Sequence, residues 1–140
     1  MQVRLLKSGD DALHIEAVRL LNDEAEMSEE RSAELLREPT YFFLVALSDL
    51  GEIMGRVYGN VIHRFGQTDL LLYEVDVVEA HHRKGVGRAM LEFLKGYCAE
   101  KGYREMWVLT EGDNQAARGL YASAGGVEVD YPTVMYDFYI

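Results

Sequence analysis

Cysteine is almost missing from this 140-residue chain, and the single one, Cys98, excludes an internal disulfide. That scarcity fits a reducing, cytoplasmic setting. Proline occurs only twice and there is no low-complexity tract or linker, which argues against a disordered chain. No apolar run approaches the roughly 20 residues that a bilayer-spanning helix needs, so no membrane partner is expected. The opening MQVRLLKSGDD lacks an apolar signal core and a small-residue cleavage site, so secretion is not expected either. Positive charge is also short: 14 bases against 24 acids leave a net charge of −10. Nucleic acid is a poor partner for such a chain, because phosphate backbones demand a basic face. A small cationic molecule, by contrast, would be steered in by the field. What is present is apolar material, 49% of residues, enough for one domain over residues 1–140 with a real core.

The order of elements reads as α+β. VRLL (residues 3–6) opens as a strand, and residues 8–22 follow as a helix with Asp10 as its cap and Leu13, Ala17, Leu20 and Leu21 on one face. A second helix spans residues 28–38, capped by Ser28 and stopped before Pro39. Strands are expected at YFFLVAL (41–47), EIMGRVYGNVIHR (52–64) and LLLYEVDVV (70–78), the last rich in β-branched and aromatic residues. A strong helix then carries Val86, Ala89, Met90, Phe93, Leu94, Tyr97 and Cys98 at helical spacing, with Gly102 ending it. EMWVLT (105–110) is a strand with Trp107 in its core, residues 114–125 a helix, and VMYDFYI (134–140) a final strand. The strand–helix–strand unit in the middle implies two parallel strands joined by a right-handed crossover.

HHRKGVGRAM (81–90) is the local exception in this acidic chain. It lies between a strand and a helix N-terminus, where unpaired N–H groups and the positive end of the helix dipole meet. Gly85 and Gly87 let a ligand's oxygens approach the backbone, and Arg83, Lys84 and Arg88 add charge around it. A phosphate or pyrophosphate suits this arrangement. The P-loop pattern is absent, and the dinucleotide fingerprint GxGxxG fails at Met90. No metal site is expected, because His81, His82, His14 and His63 lack ligand spacing.

In YEVDVVEAHHRKGVGRAML and NQAARGLYASAG the chain resembles the GNAT N-acetyltransferases, whose coenzyme A loop reads Arg/Gln-x-x-Gly-x-Gly/Ala. His82 stands where that loop usually begins with Arg or Gln. The order of elements resembles the family along essentially the whole chain: a mixed central sheet with splayed parallel strands, flanked by helices. Tyr73, Glu74 and Val77, then His81, Arg83, Glu111 and Leu120–Tyr121, bring the pattern closest to the short, type I aminoglycoside 3-N-acetyltransferases.

The resemblance implies acetyl-CoA as donor and direct attack by an amine, with no covalent enzyme intermediate. It implies coenzyme contacts from His82, Arg83, Lys84, Gly85, Val86, Gly87 and Arg88, from the backbones of Val75 and Val77, and from Asn114 and Tyr121. Donors aimed at the developing oxyanion would contribute about 3 kcal/mol. Tyr121 matches the tyrosine that faces the coenzyme sulfur, and a phenol near pKa ~10 beside a thiol near ~8.5 suits proton transfer. Glu74 is the favoured base and Glu111 the next. Tyr73, Glu74, Glu111, Asp113 and Asp137 are the acceptor-binding candidates, the acids gripping ammonium groups. The tyrosines of YDFYI read two ways, as acceptor-site lining or as a homodimer contact. A polyamine, another amino sugar or a protein amine remain alternative acceptors, and an acetyl-CoA sensor without turnover or a nicotinamide-binding protein are readings from other classes.

Overall fold

The computed structural model describes residues 1–21 and 26–140. Its elements run β1 (Gln2–Leu5), α1 (Asp11–Leu21), α2 (Glu29–Arg37), β2 (Tyr41–Leu47), β3 (Ile53–His63) and β4 (Thr68–Val77). A short 3₁₀ turn (Glu79–His81), α3 (Val86–Lys101), β5 (Met106–Val108) and α4 (Gln115–Ser123) follow. Asn22, the last residue of the expected first helix, lies outside the described residues. The five strands form one mixed sheet in the order β1-β2-β3-β4-β5, antiparallel except for the parallel pair β4–β5, which α3 connects. This is the α+β architecture with parallel neighbours that the sequence implies.

Every residue of β2 after Tyr41 is buried, because helices cover both faces of the sheet. Phe42, Leu44 and Ala46 face the core built with Val86, Met90, Leu91 and Leu94 of α3. Phe43, Val45 and Leu47 face the other way, toward Ala17 of α1. A buried polar chain clips α1 and α2 onto this second face. The Ser32 hydroxyl donates to Asp11 Oδ1 (2.6 Å), so its oxygen accepts from His14 Nδ1–H (2.9 Å). That leaves His14 Nε2 to accept from the Tyr41 hydroxyl (2.8 Å). Burial holds the His14 imidazole neutral, its pKa pushed down to about 4 despite the Asp11 charge.

Several expectations need correction. In α1 the covered face is His14 and Ala17 with Leu13 and Val18 beside them, while Leu20 is exposed. Asp10 does not cap that helix with its side chain, which turns back to Lys7 N–H and the Arg4 guanidinium; only its carbonyl accepts the first helical N–H, from His14. In α3 Leu91 is buried and Phe93 is exposed, while Val86, Met90, Leu94 and Cys98 stay buried, so the stripe turns slightly toward Leu91. Trp107 is 39% exposed rather than core, because α1 and α2 pack on β2 and β3 and leave that face of β5 uncovered. The final strand does not form: from Val127 onward no residue makes a backbone hydrogen bond among the described residues, and the large apolar side chains of VMYDFYI are exposed. Ser28 caps α2 as expected, its Oγ accepting from Arg31 N–H at 3.0 Å, and Glu38 leaves the helix in extended geometry just before Pro39.

Candidate active site

A slot opens where β4 and β5 separate. Their pairing covers only Leu70–Met106, Leu71–Trp107 and Leu72–Val108. On the other side of β4 the register slips: Gly59 faces Leu72 and Tyr58 faces Glu74, which leaves Tyr73 as the extra residue of a β-bulge. The bulge is possible because position 59 is glycine; a side chain there would run into the Leu71 carbonyl. Beyond it, residues 73–77 of β4 keep β3 on one side and have no strand on the other. The backbones of Val75 and Val77 border this gap while their side chains pack against the α3 core.

The glycine segment closes one end of the slot. Arg83 (φ 60°) and Gly85 (φ 79°) both adopt left-handed geometry, and Gly85 is the N-cap of α3. That alternation turns successive amides to one side, the geometry of an anion nest. Among the described residues, none of the six N–H groups of residues 83–88 has a backbone acceptor; the first α3 amide to find one is Ala89, on Gly85 O at 3.0 Å. Arg83, Lys84 and Arg88 are exposed and make no ion pair among the described residues, so three cations surround six unpaired donors. His82 acts locally: its Nε2 donates to the Val77 carbonyl at 2.7 Å and ties the loop to the end of β4. Val86 is buried in the core. At Gly87 a β-carbon would meet Leu120 Cδ2 at 2.9 Å, so its missing side chain makes room for α4. That contact seats Tyr121, the next residue, against the core beneath the slot.

The acidic side of the slot is built around a residue that sequence reasoning missed. Arg56 of β3 is 2% exposed, and its guanidinium bridges Glu74 Oε2 (2.8 Å) and Asp76 Oδ2 (3.1 Å). One buried cation thus meets two carboxylates, leaving a net negative charge at the surface. The register pairs Arg56 with Asp76 and Tyr58 with Glu74, so all four side chains share one face. Tyr58 lies under the guanidinium (5.3 Å to the ring centre), stacks on Phe43 and leans against Tyr73 at 5.5 Å. Burial and the neighbouring Asp76 charge raise the Glu74 pKa, with Arg56 partly opposing them. Burial and the Glu74 charge push the Tyr58 phenol up to about 12. Burial, then the Asp76 charge, also raises Tyr121, which stays protonated at neutral pH. Two signals in the sequence pointed to this group: a lone arginine inside the apolar β3, and Asp76 two residues after Glu74, hence on the same side of a strand.

A cleft of about 300 Å³ continues from this group between the helices and the sheet, lined by Met27, Leu35, Tyr41, Phe43, Arg56 and Tyr58. A larger one, about 440 Å³, lies at the opposite end, between the β3–β4 turn and the end of α3, and contains none of the candidate residues. Tyr73 and Glu74 lie on the stretch of β4 that borders the slot, and Tyr121 packs against the α3 core close enough to feel the Asp76 charge. Glu111 and Asp113 sit exposed on the loop after β5, making no ion pair among the described residues. Asn114 caps α4, its Oδ1 accepting from Ala117 N–H at 3.0 Å. Asp137 stands on the exposed C-terminal segment, away from any hydrogen-bond partner among the described residues.

A sheet whose parallel strands splay beside a nest of free amides defines a recognisable class. The sequence matches the acetyltransferase (GNAT) family over residues 11–125, and the chain belongs to that family, whose members use acetyl-CoA. No curated protein matches the sequence significantly. Among solved structures, the fold is similar to the aminoglycoside acetyltransferase meta-AAC0020 from an uncultured soil metagenomic sample, in complex with sisomicin (19% identity, 99% of this chain and 96% of that one, TM-score 0.88). It is also similar to AAC(6')-Iy in complex with a CoA bisubstrate analogue (16%, 99% and 98%, TM-score 0.81). A ribosomal-protein-alanine N-acetyltransferase from Brucella melitensis biovar Abortus 2308 shares it too (17%, 99% and 100%, TM-score 0.80).

Proposed function

We propose that this chain moves the acetyl group of acetyl-CoA to a primary amine of a cationic small molecule by direct attack in a ternary complex. The 3-amino group of an aminoglycoside is the leading acceptor. The observation that carries this reading is the juxtaposition of the amides at residues 83–88, in the segment that follows β4, with the Glu74 and Asp76 carboxylates of β4 that Arg56 of β3 bridges. An anion is held at one end of the slot and a cation at its side. The aminoglycoside complex of a neighbour with the same fold adds support for the acceptor class.

Acetyl-CoA, when bound, supplies an activated thioester carbonyl. The residues present fit its diphosphate: the 83–88 amides donate to it, Arg83, Lys84 and Arg88 neutralise it, and His82 keeps the loop in place. The open backbone edge of Val75 and Val77, with Asn114 across the slot, carries the pantetheine arm. Glu74 takes the proton that an acceptor ammonium must lose before it can attack, a task its raised pKa suits. Tyr121, kept protonated, hands its phenolic proton to the departing sulfur. Asp76 shares the acceptor's charge with Glu74, while Glu111, Asp113 and Asp137 engage its outer ammonium groups. Glu111 is the second choice for the base. The setting is cytoplasmic, where acetyl-CoA is made available.

The test is acetyl-CoA-dependent thiol release across aminoglycosides with and without a free 3-amino group, with spermidine alongside. Turnover confined to the first set, with the acetyl group found on N3 by NMR, is the expected result. Acetylation at another amine overturns the regiochemistry, a preference for spermidine or a peptide N-terminus overturns the acceptor class, and coenzyme binding with silence across the panel leaves a sensor in place of an enzyme.

A further inference from the structure

The larger cleft, about 440 Å³, lies at the far end of the sheet from the slot and has no part in acetyl transfer. The sheet's topology creates it. Because β5 runs parallel to β4, the turn leading into β4 stands beside the connection leading from α3 into β5. Arg64, Gln67 and Thr68 line the cleft from the first, and Lys101, Tyr103 and Arg104 from the second. Backbone hydrogen bonds fix both walls: Arg64 N–H donates to Gln67 O (2.8 Å), Arg104 N–H to Thr68 O (2.9 Å) and Tyr103 N–H to Cys98 O (2.9 Å). Gly102, left-handed at φ 74°, ends α3, and its N–H donates to the Ala99 carbonyl, so the last helical carbonyls near the cleft are partly capped.

Charge in this cleft runs against the rest of the molecule. Arg64, Lys101 and Arg104 meet there, in a chain with 14 bases against 24 acids. Lys101 and Arg104 are exposed and make no ion pair among the described residues; Lys101 rests over the Tyr97 ring at 5.6 Å. The end of α3 accounts for a lysine at 101, since cations suit a helix C-terminus, but not for Arg64 and Arg104, which lie outside the helix. Arg64 is held in place from below. Asp69, 0% exposed, accepts from Arg64 Nη1 (2.8 Å) and from Gln67 Nε2 (2.7 Å). A carboxylate is costly to bury unless paired, and this one fixes one N–H of a guanidinium that is itself 52% exposed, leaving its other donors open. Glu105 is the other acid that acts on Arg64, so three cations stand against two carboxylates. We propose that this cleft is an anion site, separate from the 83–88 amides, that takes the phosphate of a small phosphate monoester. The phosphate oxygens accept from the open donors of Arg64 and from Lys101 and Arg104. The volume falls within the range of about 300–1,000 Å³ found for small-molecule sites, and Gln67, Thr68 and Tyr103 offer polar contacts to a hydroxylated organic part. The inference does not depend on acetyl transfer.

Amide NMR titration of the full chain with glucose 6-phosphate, glycerol 3-phosphate and AMP tests it, with glucose and inorganic phosphate alongside. The amide signals of Gln67, Thr68, Gly102 and Arg104 are expected to move and to saturate for at least one ester, with a Kd of about 1 mM or below. Binding at the glycine turn is read separately, from the amides of residues 85–88. Lys101→Gln and Arg104→Gln each remove one cation and leave the Arg64–Asp69 pair in place. Each is expected to weaken ester binding at the cleft at least about 10-fold, the loss of one charge-assisted hydrogen bond, and to leave the response of residues 85–88 unchanged. Using both keeps the test alive if one variant fails to fold. Shifts confined to residues 85–88, or no saturation at the cleft by about 10 mM with any ester, overturn the proposal. So does unchanged binding in either folded variant. Equal affinity for inorganic phosphate and every ester overturns the monoester as ligand, and an equal response to glucose overturns the anion.

Discussion

Arg56 sits with one guanidinium against Glu74 and Asp76 and almost no access to water, so removing it leaves two like charges to repel each other across a partly buried strand. Arg56→Met should cost about 1–3 kcal/mol of stability, less than a fully buried ion pair because both carboxylates keep contact with water, read by urea unfolding at pH 7. It should also move Glu74 further up, since Arg56 is the neighbour that opposes burial and the Asp76 charge. The sign follows: as the proposed base Glu74 would act only when ionised, so activity should be lost as pH falls through its raised pKa. The acid limb of kcat/KM should therefore shift to higher pH in Arg56→Met and vanish in Glu74→Gln, which should lose roughly 10²–10⁴-fold in kcat. An unchanged acid limb in Glu74→Gln would transfer the role to Glu111.

At the scale of elements, the polar chain Asp11–Ser32–His14–Tyr41 fixes how α1 and α2 lie on β2, and hence the wall of the 300 Å³ cleft that Tyr41 lines. His14 is buried and neutral, with a pKa near 4 against about 6.5 in an unfolded chain. The unfolded state thus binds a proton between those values that the folded state refuses, and stability falls as pH drops from 6.5 toward 4. The loss is about 3 kcal/mol in total. His14→Phe should be less stable at pH 7, because the Tyr41 hydroxyl and Ser32 lose their partner, yet should show a shallower decline over this window. Parallel wild-type and variant slopes in urea unfolding between pH 6.5 and 4.5 would assign the acid sensitivity elsewhere.

For the molecule as a whole, charge is divided unevenly. A net −10 surrounds the exposed basic segment of Arg83, Lys84 and Arg88, so the proposed anionic donor and cationic acceptor would be drawn to different places. Added salt should raise KM for a polycationic acceptor several-fold between ~50 and ~500 mM, because the Debye length shrinks from about 14 Å toward about 4 Å. The effect on coenzyme affinity should be smaller, since the six amides act at contact distance. Equal salt dependence for both substrates would mean the long-range field has no part in acceptor capture.

The order of strands and helices as far as α4, the helix cap at Ser28, the glycine turn that leads into α3 and the parallel pair β4–β5 were legible in the sequence, because each depends on local pattern: period, glycine placement, charge against background. Glu74 and Tyr121 are named through resemblance, and their roles are what the proposed variants test. Arg56, Asp76 and Tyr58 were visible only as oddities, since their meeting depends on the β3–β4 register and on a bulge that Gly59 permits. The rotation of the α3 stripe toward Leu91, the outward face of Trp107 and the failure of VMYDFYI to find a strand partner could not be read locally at all. Composition and periodicity state what a segment would do if a partner were available; only packing in three dimensions decides which partners lie within reach, and which edges are left open.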